Sequence, residues 1–349
     1  MTKIFHTNGR HIHDEKLVLE AAAILREGGL VAFPTETVYG LGANGFDDAA
    51  VAKIFLAKGR PSDNPIILHI CNEEMLKGIV KEIPPKAIQL MKKYWPGPLT
   101  LIFKKASCIP SNVTGGLDTV AVRMPSNKIA QRLIQEAGVP VAAPSANLSG
   151  KPSPTKSEHV IEDLHDKVDV IIASENSALG LESTVIDLTN AEPVLLRPGY
   201  ITLEQLNDVV GQVKVDPSLF FQLEQSKVRS PGMKYKHYSP QAPLKVVQGA
   251  MEDVVSEINR LTELFQHQGK VIGIIATEQT KDRYHGDIVL SLGDRNTPHQ
   301  IMHNLFDVLR EFNQYPVDAI FSEGFSRNGV ELAITNRLVK AAGYDILEV

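Results

Sequence analysis

Two cations separated by one residue, Lys58 and Arg60, lie in the segment KGRPSDNP at 58–65. The glycine and proline of this segment predict a loop rather than a regular helix. A lysine ammonium is a mobile point charge and an arginine guanidinium is a rigid fork, so together they could hold a triphosphate from two directions. Ser62 and Asn64 would add hydroxyl and amide donors. Taken alone, the segment is also compatible with a solvated basic turn.

A second group of possible phosphate ligands lies in APSANLSGKPSPT at 143–155, after an apolar run. Its serines, asparagine and glycine offer hydroxyl, amide and backbone donors of the kind that surround phosphate oxygens. A Ser/Pro-rich surface loop is the alternative interpretation. Arg197, Arg123 and His69 each lie at the end of an apolar run. Because ligands collect where strand ends meet loops, these three are candidate site residues, although a single buried Arg or His is often structural.

These segments need a sheet to position them, and the apolar runs predict its strands. A 3.6-residue period predicts a helix at 17–25, and Asp47 can cap a second helix that ends near Leu56. Further helices are predicted at 86–94 and 128–137. The predicted strands lie at 30–35, 65–70, 99–103, 119–125, 140–145, 168–174, 183–188 and 193–199. This alternation predicts an α/β domain with a large, mixed sheet.

Regular periodicity stops between residues 211 and 240, where VRSPGMKYKHYSPQAP indicates a linker. Beyond it, the pattern alternates again. Strands are predicted at 245–248, 270–277, 287–292 and 318–324, and helices at 251–266, 298–312 and from Val330. This order predicts a second, smaller open-sheet α/β domain. We therefore divide the chain into a first domain at 1–210, a linker at 211–241 and a second domain at 242–349.

Composition narrows the function classes. A chain of 349 residues with 43% hydrophobic and 22% charged residues is typical of a globular protein with two domains. A net charge of -5 disfavours a protein whose main task is to bind a nucleic-acid backbone. Cys71 and Cys108 are far apart, which indicates neither a disulfide framework nor a zinc site. The N-terminus has no signal-peptide pattern and no apolar run is long enough to span a membrane, so we expect a cytoplasmic protein.

Two motifs suggest other ligands, but their context does not support them. GLGANG at 40–45 has the glycine spacing of a dinucleotide loop, yet TETVY separates it from the preceding strand and the next strand does not end in an acid. We expect these glycines to allow backbone to approach a ligand or a neighbouring strand. His299 and His303 have i,i+4 spacing without the glutamate of a zinc-protease motif, which favours an ordinary helix surface.

Seven motifs, taken in order, resemble the YrdC-like domain of the threonylcarbamoyl-AMP synthases: TETVYGLGANG, KGRPSDNP, WPGPLTLIF, VAVRMP, APSANLSG, ESTVID and LLRPG. They cover about residues 35–199, and SPGMKYKHYSP followed by a small α/β domain resembles the family's two-domain form. The resemblance implies a YrdC-like twisted mixed-sheet domain with flanking helices, followed by a linker and a smaller Rossmann-like open-sheet domain.

The resemblance also implies an enzyme, a nucleotidyltransferase that converts L-threonine, bicarbonate and ATP into threonylcarbamoyl-AMP and pyrophosphate for the t6A modification of tRNA. Threonine nitrogen and CO2 or bicarbonate would form an N-carboxylate, which attacks the α-phosphorus of ATP. This attack brings an anion onto a polyanion, so Lys58, Arg60 and Mg²⁺ would offset the repulsion. The Mg²⁺ would be held mainly by the ATP phosphates, with no metal ligand assigned to the protein.

Site residues follow from the matching motif positions. The implied nucleotide-binding set is Lys58, Arg60, Ser62, Thr119, Ala143, Ser145, Asn147, Ser153, Arg197, Tyr235 and His237. The implied threonine-binding set is Thr35, His69, Arg123 and Ser183, with Arg123 pairing the substrate carboxylate. In the family the linker folds over the active site, so Tyr235 and His237 would help to keep water from the adenylate.

Two other functions are open to a chain of this kind. YrdC-like domains have also been linked to double-stranded RNA, but the net charge of -5 and the lack of a basic stripe disfavour an RNA-binding module. Relatives with the same domain use carbamoyl phosphate, but they carry zinc-finger and kinase-like regions, and two cysteines are too few for the former. We therefore expect small-molecule partners, a separate tRNA threonylcarbamoyl-transferase complex as recipient, no membrane partner, and weak or absent direct tRNA binding.

Overall fold

A computed structural model describes residues 1–7, 12–219 and 237–349. Within this part of the chain, a mixed sheet of eleven strands has the order β1-β8-β2-β3-β7-β4-β6-β5-β9-β10-β11. The strands are β1 (Lys3–His6), β2 (Val31–Phe33), β3 (Gly40–Asn44), β4 (Ile67–His69), β5 (Leu99–Lys104), β6 (Thr119–Arg123), β7 (Val141–Ala142), β8 (Val170–Ala173), β9 (Thr184–Asp187), β10 (Val194–Arg197) and β11 (Lys214–Val215). Each of the eight strands predicted for this region overlaps an observed strand, whereas β1, β3 and β11 were not predicted.

Helices cover both faces of this sheet. They are α1 (Ile12–Arg26), α2 (Asp48–Lys58), α3 (Glu73–Ile79), α4 (Pro85–Tyr94), α5 (Ser111–Thr114), α6 (Lys128–Ala137), α7 (Ser157–Leu164) and α8 (Leu203–Val210). One apolar core joins α1 and α6 to one face, and a larger core joins α2, α4 and α8 to the other. The first domain therefore has three layers, as the mixed α/β prediction requires.

Helix α2 shows how local sequence positions the first cation. Asp47 caps its start, because its carboxylate accepts from the backbone N–H groups of Ala49 and Ala50 at 2.9 and 3.1 Å. Gly59 ends it with a left-handed backbone, φ 61°. Lys58 is thus the last residue of the helix, and the prediction that this whole segment is a loop is wrong for that residue. Because Lys58 ends the helix, its backbone is held in a fixed position beside the sheet.

The glycines of GLGANG lie in and directly after strand β3. A Cβ atom on Gly42 would come within 2.8 Å of Val141 Cγ1 and 2.9 Å of Phe33 Cε1. A Cβ on Gly45 would come within 2.7 Å of the Pro140 carbonyl oxygen. These contacts confirm the expectation that the glycines allow close approach between neighbouring strands.

The second domain contains a parallel sheet of five strands in the order β14-β13-β15-β12-β16, counted over the described residues. The strands are β12 (Leu244–Gln248), β13 (Ile272–Ala276), β14 (Ile288–Ser291), β15 (Ala319–Glu323) and β16 (Ile346–Glu348). The helices are α9 (Met251–Gln266), α10 (Pro298–Glu311) and α11 (Glu331–Ala341). Helix α9 packs on one face and α10 with α11 on the other, which confirms an open-sheet α/β domain.

Helices α10 and α11 of the second domain contact the first domain. The ring of His299 on α10 lies 4.8 Å from the ring of Tyr200 in a tilted arrangement, and Nδ1 of His303 lies 3.2 Å from the carbonyl oxygen of Ala178. The two histidines thus contact the first domain. The boundaries at residues 210 and 241 stay predictions. No helix among the described residues combines the length and apolar character needed to cross a membrane.

Candidate active site

A cleft in the first domain collects most of the predicted site residues. Its open space, including the part that connects with solvent, is about 740 Å³. The predicted residues that line it are Thr35, Lys58, Arg60, His69, Arg123, Ala143, Ser145, Asn147, Ser183, Arg197 and His237. Residues from distant parts of the chain therefore converge in one place, which is what a site for two substrates requires.

Lys58 ties helix α2 to the serine-rich loop. Its side chain is 2% exposed, and Nζ donates to the backbone carbonyl oxygens of Ser145 and Asn147 and to Asn147 Oδ1 at 3.3 Å. Burial lowers the pKa of Lys58 well below its ordinary value, and the nearby Arg60 guanidinium lowers it further. A bound phosphate would oppose that shift, because an anion stabilises the protonated ammonium.

Arg60 lies at the same end of the cleft. One of its terminal nitrogens, Nη2, donates to the carbonyl oxygens of Pro65 at 3.1 Å and Asn64 at 3.4 Å. The side chain is only partly buried, so the guanidinium is fixed by its own loop while it borders the cleft. Arg60 and Lys58 thus place two basic side chains on one wall of the cleft.

The serine-rich loop is held by its own polar groups. Ser145 Oγ donates to Asn147 Oδ1 at 2.5 Å, and Asn147 Nδ2 donates to the carbonyl oxygens of Leu148 and Lys151, both at 2.8 Å. The backbone N–H of Ser149 donates to the Lys58 carbonyl at 2.9 Å. The loop is therefore shaped before any ligand arrives, as a phosphate cradle should be.

Arg197 is aimed into the cleft by an irregularity in the sheet. The register between β9 and β10 shifts between Leu195 and Arg197, and a bulge of this kind redirects the side chain that follows it. Arg197 is 5% exposed and donates to the Ser183 carbonyl at 2.9 Å and to Ser183 Oγ at 3.0 Å. Burial lowers the pKa of Arg197 to about 10, so the side chain stays cationic at neutral pH.

The predicted threonine side of the cleft is built by two parallel strands. His69 ends β4 and Arg123 ends β6, and the register pairs these two residues directly. Arg123 is 4% exposed; it donates to Thr37 Oγ1 at 2.8 Å and forms an ion pair with Glu36 at 2.7 Å. Thr35 Oγ1 lies 2.9 Å from Thr37 Oγ1, so the hydroxyls adjoin the guanidinium. This arrangement can receive a carboxylate beside small polar groups.

His69 is buried without a negative neighbour strong enough to charge it. Burial lowers the pKa of His69 to about 3, and the Arg123 cation contributes to the shift. Its Nδ1 lies 3.3 Å from the Ile67 carbonyl oxygen. The imidazole is therefore neutral at physiological pH and can offer a hydrogen bond without a charge.

This pKa predicts an acid-dependent loss of stability. Between pH 6.5 and pH 3 the unfolded chain binds a proton at His69 that the native state does not, so the free energy of unfolding falls as the pH falls. From pH 7 to pH 5 the loss at this one residue is about 2 kcal/mol. Urea unfolding of the wild type and of His69→Gln at both pH values measures it. The wild type should lose about 2 kcal/mol more than the variant, and His285→Gln, at an exposed histidine, serves as the control. Parallel pH dependence of all three proteins would contradict the assignment.

Three predicted residues that the structure describes do not line the cleft, and a fourth is not described. Ser153 is fully buried, and its hydroxyl donates at 2.5 Å to Glu182, which does line the cleft. Ser62 is exposed on the loop after Arg60, and Thr119 begins β6 in a half-buried position; neither lines the cleft. Tyr235 lies outside the described residues. The ligand roles assigned to these residues stay predictions.

The last described residues of the predicted linker reach the cleft. His237 lines it; burial lowers the pKa of His237 to about 3, and its Nε2 has no hydrogen-bond partner among the described residues. Tyr238 is 6% exposed and stacks on Phe306 of α10 at 5.0 Å. A ligand in the cleft would therefore meet a neutral imidazole with an available nitrogen.

The described residues of the cleft offer few ligands for a metal ion. No group of three His, Cys, Asp or Glu side chains that could hold a metal ion occurs in the described ranges. Glu182 is the only described cleft-lining residue with a carboxylate, and its oxygens already bond Ser153 and Arg337. The donor set therefore fits a magnesium ion that arrives with a nucleotide better than one held by the protein alone.

Sequence reasoning missed several residues of this site. Glu182 lies in the ESTVID motif, from which only Ser183 was selected. Glu36 and Thr37 lie in TETVY, from which only Thr35 was selected. Arg337, which contacts Glu182 from α11, had no signal in the sequence, since 155 residues separate the two.

The architecture and site together define a two-domain α/β protein with a cleft for an anionic ligand beside a small polar one. A family model for Sua5, YciO and YrdC proteins, described as telomere recombination, matches residues 23–199. A second model, described as threonylcarbamoyl-AMP synthase, C-terminal domain, matches residues 201–343.

Similar proteins cover the whole chain. Threonylcarbamoyl-AMP synthases of Pyrococcus abyssi and Bacillus subtilis are 48% and 49% identical, the first over 98% of both chains and the second over 93% of both. The crystal structure of P. abyssi Sua5 complexed with L-threonine has a TM-score of 0.93 at 48% identity and covers 100% of both chains. The chain therefore belongs to the threonylcarbamoyl-AMP synthase family.

Proposed function

We propose that this chain is an L-threonylcarbamoyladenylate synthase, which forms threonylcarbamoyl-AMP and pyrophosphate from L-threonine, bicarbonate and ATP. One observation carries the proposal: Lys58, Arg60 and the serine-rich loop lie in the same cleft as Arg123 and its threonine hydroxyls. The family's name and the threonine bound in the P. abyssi protein support the substrate assignment.

Threonine is the first substrate to be positioned. Its carboxylate pairs with the Arg123 guanidinium, which already contacts Thr37 at 2.8 Å. Neutral His69 lies next to Arg123 in the sheet register and offers an uncharged partner. The threonine nitrogen is then directed toward the open cleft, where the free amine either adds CO2 with loss of a proton or condenses with bicarbonate with loss of water, and both routes give the N-carboxylate.

ATP occupies the other end, and it brings Mg²⁺ on its phosphates. Lys58, Arg60 and the donors of the serine-rich loop surround the triphosphate, and Arg197 faces it from β10. An N-carboxylate oxygen attacks the α-phosphorus, the bond to the β-phosphate oxygen breaks, and pyrophosphate leaves. The fixed cations lower the barrier by offsetting the charge on both anions, so no covalent nucleophile is needed.

The reactivity of the product bears on how it reaches tRNA and on where the protein acts. A mixed anhydride such as threonylcarbamoyl-AMP hydrolyses in water, so it must reach a separate tRNA threonylcarbamoyl-transferase quickly. The residues of the predicted linker at 211–241 would slow its loss by closing the cleft, with Tyr235 and His237 as the candidate contacts. We propose that the protein acts in the cytoplasm, where tRNA and ATP are available.

A labelling experiment tests the function. Purified protein is incubated with MgATP, L-threonine and ¹⁴C-bicarbonate, and the products are separated while pyrophosphate is measured. We expect one labelled nucleotide whose formation matches pyrophosphate release mole for mole, and neither product when threonine or bicarbonate is omitted. Pyrophosphate release that is indifferent to bicarbonate, or label without AMP, would contradict the proposal.

A further inference from the structure

Glu182 places a carboxylate in the wall of a cleft whose other charged groups are cations. It is 7% exposed and lines the cleft near Ser183 and Arg197. A triphosphate carries several negative charges, so an uncompensated carboxylate at this point would repel it. A polyanion can therefore bind here only if Glu182 has a permanent counterion.

That counterion comes from the second domain. Arg337 on α11 is 0% exposed, and its Nε donates to Glu182 Oε2 at 2.9 Å. Its Nη1 donates to the carbonyl oxygen of Pro198 at 3.0 Å. Glu182 precedes Ser183 and Pro198 follows Arg197, so one guanidinium contacts the neighbours of both cleft residues. Arg337 thereby connects the loop before β9 with the end of β10.

The loop that carries Glu182 is docked on the same domain. Leu181 is 1% exposed and packs in the apolar cluster formed by α10 and α11. A Cβ on Gly180 would come within 2.4 Å of the Cα of His303 on α10, so the backbones of loop and helix are in direct contact. The second domain therefore fixes both the position of Glu182 and its charge partner.

The charges around Glu182 show which pairing dominates. Burial opposes its ionisation, but Arg337 first and Arg197 second outweigh this, and the pKa of Glu182 lies below its ordinary value. The carboxylate is therefore ionised: Arg337 donates a hydrogen bond to it, and Arg197 adds a favourable electrostatic interaction. Without Arg337, Arg197 would remain as the main counterion and would be less available to a bound phosphate.

We propose that Arg337 is a positioning residue for nucleotide binding: it neutralises Glu182 so that Arg197 can serve the polyphosphate. The proposal rests on the proposed function in that a nucleoside triphosphate is the polyanion. It assigns the second domain a role in the affinity of the cleft, through one buried charge pair that crosses between the domains.

Binding measurements on the full chain test this. The affinities for MgATP and for adenosine are measured by calorimetry with the wild type, Arg337→Met, Glu182→Gln and the double variant. Arg337→Met should weaken MgATP binding about 10- to 100-fold, the effect of one unit charge several ångströms away in a protein interior. The affinity for adenosine, which has no phosphate, should fall by less than about 3-fold, because the effect is electrostatic.

The double variant decides between a charge effect and a packing effect. Removing the Glu182 charge as well should restore MgATP binding to within a few-fold of wild type. Equal losses for MgATP and adenosine, with no rescue by Glu182→Gln, would overturn the proposal. Arg283→Met serves as the control, since it breaks the exposed Arg283–Glu252 pair of the same domain and should leave both affinities unchanged.

Glu182→Gln alone keeps the proposal falsifiable if Arg337→Met does not fold. It should bind MgATP at least as tightly as the wild type, because a negative charge is removed from the cleft. A loss of more than about 10-fold would mean that the carboxylate itself contacts the ligand or its metal, against the proposal. These measurements require no turnover, so the role of Arg337 can be decided even in a protein that makes no adenylate. A protein that binds MgATP but makes no adenylate would contradict the proposed function alone.

Discussion

Replacing Arg60 by methionine is expected to lower threonine- and bicarbonate-dependent pyrophosphate release by about two to three orders of magnitude while the protein stays folded. The guanidinium borders the cleft beside Lys58 and is held by the carbonyl oxygen of Pro65 at 3.1 Å. It therefore meets the charge that develops on the departing pyrophosphate without having to be ordered at that moment. Initial rates at saturating ATP and threonine measure the effect.

The conservative variant separates charge from geometry. Arg60→Lys keeps the cation but loses the planar fork, so it should recover part of the lost rate and remain at least about 10-fold below the wild type. Lys53→Met removes an exposed cation on α2, the helix that precedes Arg60. Lys53 donates to the Gly28 carbonyl at 2.7 Å, and its loss should change the rate little. A turnover of Arg60→Met close to that of the wild type would remove Arg60 from the mechanism.

Arg123→Gln is expected to raise the KM for threonine by about 100-fold or more and to leave the KM for ATP nearly unchanged. The guanidinium supplies the charge for the substrate carboxylate, and its loss also leaves Glu36, 2.7 Å away in the native structure, as an unpaired anion beside that site. Attraction is thus replaced by repulsion. Steady-state kinetics with each substrate varied in turn measures the split.

The paired glutamate provides the control for Arg123. Breaking this buried ion pair from one side should cost about 3–5 kcal/mol of stability, so the double variant Arg123→Gln/Glu36→Gln should be the more stable protein. It should also recover part of the threonine affinity, because the repulsion is gone while the attraction is still missing. If the KM values for ATP and threonine rise together in Arg123→Gln, the residue supports the whole cleft rather than the amino-acid end.

Elements with strong local signals were predictable from the sequence. Helices α6 and α9 begin and end where the 3.6-residue pattern places them, and Asp47 caps α2 as expected. Strand β3 was missed because GLGAN has two glycines and little β propensity; it forms because its neighbours need the close approach that glycine allows. Strand β16 has no alternating pattern in the sequence, so it was not predicted. It forms by parallel pairing with β12.

The site was predictable where motifs carried it and not where tertiary contacts did. Lys58, Arg60, Arg123 and Arg197 were selected from their positions at the ends of apolar runs or in the basic segment, and all four line the cleft. Glu182 lies in the ESTVID motif but was not selected, although its carboxylate lies in a cleft lined by basic side chains. That carboxylate is acceptable only because Arg337 contacts it from 155 residues away, and no local pattern reports a contact at such a separation.

The central claim is that one cleft holds a nucleoside triphosphate and an amino acid side by side. A crystal structure of the protein with L-threonine and a non-hydrolysable MgATP analogue, both at saturating concentration, tests it most directly. We expect both ligands in the same molecule, with the phosphates against Lys58, Arg60 and the loop at 143–155, and the threonine carboxylate against Arg123. Ligands that exclude one another, or a nucleotide bound away from Lys58 and Arg60, would contradict the account.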